Sequence, residues 1–160
     1  MAAQCKLWSI IPLMLSACAP YAPDDRLLGQ DRTWVIQALG APSNELDFPV
    51  GRIMMYPKGP FGKHTYFVYL DKKNTVSRWT QVLDEKYFVQ IKPGMSQDEV
   101  VEKIGISKDR FELARNRGYV WNYRYVNPHC FWFQIEFASD NTVRSSGYSR
   151  PPECRTKLGF

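Results

Sequence analysis

The sequence predicts an α+β protein made of two tandem units, each a short helix plus a three-stranded antiparallel meander. Two observations carry this. First, the chain repeats itself. Residues 29–40 can be laid over 94–105, and both run from a glycine through a polar stretch to an aliphatic pair, then an aliphatic residue directly before Gly. At the same offset Arg52 falls on Arg117 and Tyr56 on Trp121, and after a shift of two residues Asn74-Thr75-Val76 falls on Asn141-Thr142-Val143. Second, each repeat passes from helical spacing of apolar residues to strand-like segments, a change of period that marks a change of element.

What precedes the first unit reads as an export signal. Residues 1–17 hold one cation, Lys6, and an apolar run over 7–17. That is the length of a signal-peptide core and too short for a hydrocarbon layer about 30 Å thick. Leu15-Ser16-Ala17-Cys18 resembles the lipobox of bacterial lipoproteins: an aliphatic residue, two small ones, then a nucleophilic thiol. The resemblance implies lipidation of Cys18 by diacylglycerol and an N-acyl chain; an ordinary secretory signal cut nearby is the alternative. Ala19 in place of Asp implies, on the same resemblance, an outer-membrane anchor facing the periplasm. Several acyl chains hold durably, since each buried methylene contributes about 0.8 kcal/mol. Residues 18–27, polar and proline-rich, are expected to be an exposed lipidated tether.

In the first unit, residues 28–91, Val35, Ile36 and Leu39 recur at helical spacing, Asp31 stands at the N-cap, and Gly40 and Pro42 stop the helix. Segments 52–56, 65–70 and 76–82 are rich in β-branched and aromatic residues, as strands require. Residues 83–91 carry enough apolar side chains to be a packed connector. The second unit, residues 92–160, repeats the plan. Val100, Val101 and Ile104 line a helix that Ser96 and Glu99 open with a capping box. Strands are expected over 119–125, 131–137 and 142–148, with Tyr119, Trp121, Tyr123 and Tyr125 on one face and Val120, Asn122 and Arg124 on the other. Residues 71–74 and 139–141 supply the hairpin turns, where Asn tolerates positive φ. One small helix covers only part of a sheet, so the two units are expected to bury their apolar faces together.

Cys5 leaves with the signal and Cys18 is consumed by lipid, which leaves Cys130 and Cys154. An even pair in an oxidising compartment reads as a disulfide, worth about 3 kcal/mol in the chain-entropy model. Two free thiols, or a two-ligand metal site with His129, are the alternatives. The spacing matches no zinc pattern, so no metal and no cofactor beyond the lipid are expected.

The second unit also carries a family resemblance. "PGMSQDEVVEKIG", the strand "YVWNYRY" and "FWFQIEFASDNTV" resemble the SmpA/OmlA domain of BamE-like outer-membrane lipoproteins. The likeness covers residues 92–148 well and 27–82 more weakly. That family carries one such unit; here there are two, a tandem use that resembles β-lactamase inhibitor proteins. The family's Leu-Gly-x-Pro helix end is kept at Gly40-Ala41-Pro42 and lost at Gly105-Ile106-Ser107, and Ala138 stands where its Asp is usual. The resemblance implies a part in outer-membrane protein assembly or envelope integrity.

The net charge of +5 comes from scattered cations, which together with export argues against nucleic acid as a partner. No Ser-His-Asp spacing, phosphate-binding glycine loop or HExxH pattern is present. A His129–Cys130 nucleophilic pair is outweighed by the disulfide, so the chain is not expected to be an enzyme. Candidate interface residues are Phe61, in a Gly/Pro loop between Lys58 and Lys63, and secondly Arg115 and Arg117. The expectation is a non-catalytic binding or scaffold module tied to the membrane by lipid, with an envelope protein as partner, the β-barrel assembly machine foremost. The alternative is a tethered inhibitor or ligand-binding lipoprotein.

Overall fold

The computed structural model describes residues 21–115 and 117–154. The signal and Cys18 lie outside these. Helix α1 (Arg32–Leu39) is followed by β1 (Asn44–Phe48), β2 (Gly51–Lys58), β3 (His64–Asp71) and β4 (Val76–Gln81). Short α2 (Glu85–Phe88) leads to α3 (Gln97–Ile104), then β5 (Asp109–Leu113), β6 (Gly118–Arg124), β7 (Trp132–Ala138) and β8 (Val143–Ser149). The strands form two antiparallel sheets, β1-β2-β3-β4 and β5-β6-β7-β8, each in chain order.

The three-stranded meander is therefore wrong: each sheet has four strands. The missed ones, Asn-Glu-Leu-Asp-Phe and Asp-Arg-Phe-Glu-Leu, are edge strands with charges at alternate or adjacent positions. Such charges keep a sheet edge from pairing with another chain, and they also erase the apolar alternation by which strands are recognised. Ion pairs from Glu45 to Arg32 (2.6 Å) and Arg52 (3.1 Å) tie β1 to its neighbours.

The two halves match in fine detail. Gly40 and Gly105 end α1 and α3 at φ 85° and 81°, and Asn74 and Asn141 turn the last hairpins at φ 59° and 64°. A register shift falls between Tyr69 and Leu70 in one sheet and between Glu136 and Phe137 in the other. Only residues 49–50 join β1 to β2, whereas residues 114–117 join β5 to β6. The two-residue shift thus lies in this first hairpin, earlier than sequence matching places it. Met55, paired with Asn44, corresponds to Asn122, paired with Asp109. Arg52 and Tyr56 then correspond to Tyr119 and Tyr123, not to Arg117 and Trp121.

The cores are arranged in series. Val35 and Leu39 of α1 lie in one cluster with Leu27, Met54, Tyr56, Tyr66, Val68 and Leu70. The opposite face of the same sheet, with Ile53, Met55 and Phe67, enters a larger cluster with α3 (Val100, Val101, Ile104) and the aromatic face of the second sheet (Tyr119, Trp121, Tyr123, Phe133, Ile135, Phe137). The first sheet is therefore buried on both faces. The connector is part of this core: Asp84 caps α2, and Phe88 stacks on Phe133 with ring centroids 4.3 Å apart.

The segment expected to be an exposed tether is packed from Pro23 onward. Pro23 and Leu27 are buried, and residues 25–27 form a 3-10 turn capped by Asp24. Leu27 is drawn in because it completes the small cluster beneath α1.

Candidate interaction surface

The loop between β2 and β3 has three residues in the left-handed region: Gly59 (φ 74°), Phe61 (φ 56°) and Gly62 (φ 67°). Such a conformation is uncommon for a bulky side chain and marks strain worth a functional question. It turns Phe61 outward, 65% exposed, with its ring against the second sheet. The Arg124 guanidinium lies 4.3 Å from the Phe61 centroid and 5.1 Å from that of Trp132. Arg124 also pairs with Glu153 and, at 3.7 Å, with Asp109.

Cys130 and Cys154 are joined as a disulfide, with Cα atoms 6.4 Å apart. The register of β7 on β8 places Trp132 opposite Ser149, so the bond pulls the tail after β8 back onto the start of β7. It thereby holds Glu153 beside Arg124. Phe61, Lys63, Arg124, Trp132, Cys130 and Glu153 line one cleft.

From this corner a polar row crosses the outer face of the second sheet. The Trp132 indole N–H donates to Ser149 Oγ. Ser149 Oγ donates to Gln134 Oε1 (2.5 Å), Gln134 Nε2 to Asn122 Oδ1 (2.7 Å), and Asn122 Nδ2 to Asp109 Oδ1 (2.9 Å). All donors point one way, toward a carboxylate, an arrangement in which each bond polarises the next. Asn122 is 2% exposed, so this satisfaction is required: a buried amide without partners costs about 1–3 kcal/mol. No residue of this face belongs to either apolar cluster.

A third feature adjoins the Phe61 loop. The Tyr21 hydroxyl and His64 Nδ1 share a hydrogen bond at 2.6 Å, and the two rings meet edge to face at 5.5 Å. Burial, and then the Lys63 charge, hold His64 below the usual histidine range. The fit depends on Gly59, where a Cβ would meet the Tyr21 oxygen at 2.7 Å.

The expected interface residues divide. Phe61 and Lys63 meet at the cleft. Lys58 turns away, donating to the Leu39 carbonyl (3.4 Å) at the C-terminus of α1, where a cation suits the helix dipole. Arg115 and Arg117 are exposed in the β5–β6 hairpin, at the far end of β6 from Arg124. Sequence reasoning missed Tyr21, hidden in a segment with tether composition, and the role of Arg124. Asn122 and Arg124 opposite the aromatic face were the available signal.

Among the described residues no group of three or more His, Cys, Asp or Glu is placed to hold a metal ion, and no helix is long and apolar enough to cross a membrane. In sequence, no protein family model matches the chain, and neither does any curated protein. Among solved structures, the chain is similar to a DUF4309 family protein from Bacillus subtilis at 12% identity, covering 76% of this chain and 78% of that one, with a TM-score of 0.30. It is also similar to an extracellular protein containing a SCP domain from Bacillus anthracis, at 13% identity and a TM-score of 0.32. There the likeness covers 88% of this chain and half of that one.

Proposed function

We propose that this chain is an outer-membrane lipoprotein facing the periplasm, anchored by lipid on Cys18, and a non-catalytic binding module for another envelope protein. The observation that carries the binding reading is the difference between sheet faces. Three of the four faces are filled with apolar side chains, and the outer face of the second sheet carries the ordered polar row from Trp132 to Asp109. A polar, pre-satisfied face suits a partner that comes and goes, because non-obligate interfaces are about as polar as ordinary surface. The β-barrel assembly machine is the candidate partner, on the SmpA/OmlA resemblance of residues 92–148. An inhibitor would need an open concave face between the sheets, and that space holds Phe67, Ile104 and Trp121; this favours the scaffold reading.

A photo-crosslinking residue at Ser145 or Phe111, both exposed on the outer face, is expected to capture an envelope protein from intact cells, while one at Val50 in the first hairpin captures none. Equal labelling at all three positions would remove the case for this face. Cys18→Ser is expected to release the protein from the membrane and leave the fold intact, measured by fractionation and intact mass. A membrane-bound Cys18→Ser protein of unmodified mass would overturn the anchor.

A further inference from the structure

We propose that the corner made by Tyr21, Phe61, Ile106 and Val126 rests on the bilayer surface beside the lipid anchor, with Phe61 at the boundary between headgroups and acyl chains. The inference rests on lipidation of Cys18 and adds to it a defined orientation of the folded part.

Reach is the first argument. Three residue steps separate Cys18 from Tyr21, and an extended chain spans at most about 3.6 Å per residue. The acylated sulfur therefore lies within roughly two headgroup-layer thicknesses of Tyr21, that layer being about 5–8 Å deep. Tyr21 is not a loose end. Its hydroxyl is bonded to His64, its ring rests edge-on against the imidazole, and its oxygen sits over Gly59. The anchor thus leaves the fold at one fixed place, two residues from Phe61.

The chemistry of that place is the second argument. Phe61 is 65% exposed, Val126 58%, Tyr21 52% and Ile106 50%. They belong together: Phe61 and Ile106 line one depression with Lys108, and Val126 lines the next with His64. Aromatic rings prefer the membrane interface, and lysines beside them reach anionic headgroups while their stems stay apolar. Lys63 and Lys108 are the flanking cations. Among the acids nearby, Asp24 is held by Arg26 and Glu153 by Arg124, while Asp84 and Glu85 line the same depression as Val126. Val50, 77% exposed, provides the contrast. It lies in the hairpin at the far end of β2, eight residues or about 25 Å away, beyond the reach of the anchor.

The test uses the full-length lipidated protein in vesicles of phosphatidylethanolamine and phosphatidylglycerol with brominated acyl chains. Phe61→Trp and Val50→Trp each add one fluorophore at an exposed site. The emission added at position 61 is expected to be quenched several-fold more than that added at 50, and His64→Ala, which releases Tyr21, should shrink the difference. Equal quenching at 61 and 50 in protein that floats with the vesicles and carries lipid on Cys18 overturns the docking alone. Absence of lipid on Cys18 overturns the docking and the anchor together. A photo-crosslinker at 61 that captures protein and no lipid also overturns the docking.

Discussion

The two sheets share strand order, bulge and turn, and they differ in what covers one face. Their helix-facing sides correspond residue by residue: Met54 and Trp121, Tyr56 and Tyr123, Val68 and Ile135, Leu70 and Phe137, all in apolar clusters. On the other side Met55 and Phe67 of the first sheet occupy the places of Asn122 and Gln134 in the second. The first pair is buried because the second unit sits on it; the second pair is hydrogen-bonded across strands, and among the described residues neither apolar cluster reaches it. One backbone therefore supports two chemistries, and cover decides which. The polar row ends a stack that an apolar face would extend to another copy, as the polar outer face of a terminal repeat does in solenoids.

That contrast predicts very different costs at equivalent positions. Phe67→Ala should destabilise by about 3–5 kcal/mol, the usual cost of emptying a large core site, since Phe67 is fully buried and touches the end of α3. Gln134→Ala should cost less, about 1–2 kcal/mol, because it leaves the buried Asn122 amide oxygen unpaired but empties no apolar site. Urea titration of both variants measures the gap, and similar losses would mean that the second outer face is core after all. Next in size, replacing Cys130 and Cys154 by Ser should cost about 3 kcal/mol for the loop they close.

A sharper comparison lies in one hydroxyl. Tyr123 donates to the Gly105 carbonyl at 2.9 Å at the end of α3. Its counterpart Tyr56 is as deeply buried, yet its hydroxyl has no hydrogen-bond partner; in the first unit Lys58 serves the end of α1 instead. Tyr123→Phe should therefore cost about 1–2 kcal/mol, leaving a buried carbonyl unpaired, while Tyr56→Phe should be neutral or stabilising. Both phenols are pushed above the usual tyrosine range, in each case first by burial, and Tyr125 is raised to about 12 by burial and then Glu85. Raised values favour the protonated fold, so the unfolded chain loses its protons first. Stability should hold below about pH 10, the ordinary tyrosine value, and fall as pH rises past it, which thermal melts across alkaline pH would show.

Much of this was legible in the sequence where packing is periodic. Six strands and both eight-residue helices follow from Val35, Leu39, Val100 and Ile104 and from the alternation in segments such as 119–125. Edge strands β1 and β5 were not, because Glu45, Asp47, Arg110 and Glu112 serve solvent and ion pairs and leave no apolar period. The polar row was half legible: Asn122 stands opposite the aromatics by simple alternation, but its bonds to Gln134 and Asp109 depend on registers set by hairpin length. The two extra residues at 114–117 show how weak that signal is. Tyr21 was invisible because its partners, His64 and Gly59, are some forty residues away and join it only through the fold.

The smallest expected effect separates the two helix starts. Asp31 accepts from the Trp34 N–H, a single cap. Ser96 accepts from the Glu99 N–H while Glu99 accepts from the Ser96 N–H, a reciprocal pair. Asp31→Ala and Ser96→Ala should each cost about 1 kcal/mol, and at the Ser96 cap part of the stability depends on pH. The Ser96 backbone bond, and then its hydroxyl, hold the Glu99 carboxyl below the usual glutamate range. A lowered value favours the charged form in the fold, so its contribution is complete above about pH 5 and disappears as pH falls through the range between the unfolded value, about 4.3, and the lowered one. Glu99→Gln should flatten that part of the acid limb, seen in thermal melts at closely spaced acid pH. An acid limb unchanged by Glu99→Gln would mean that the reciprocal cap gives α3 nothing that α1 lacks.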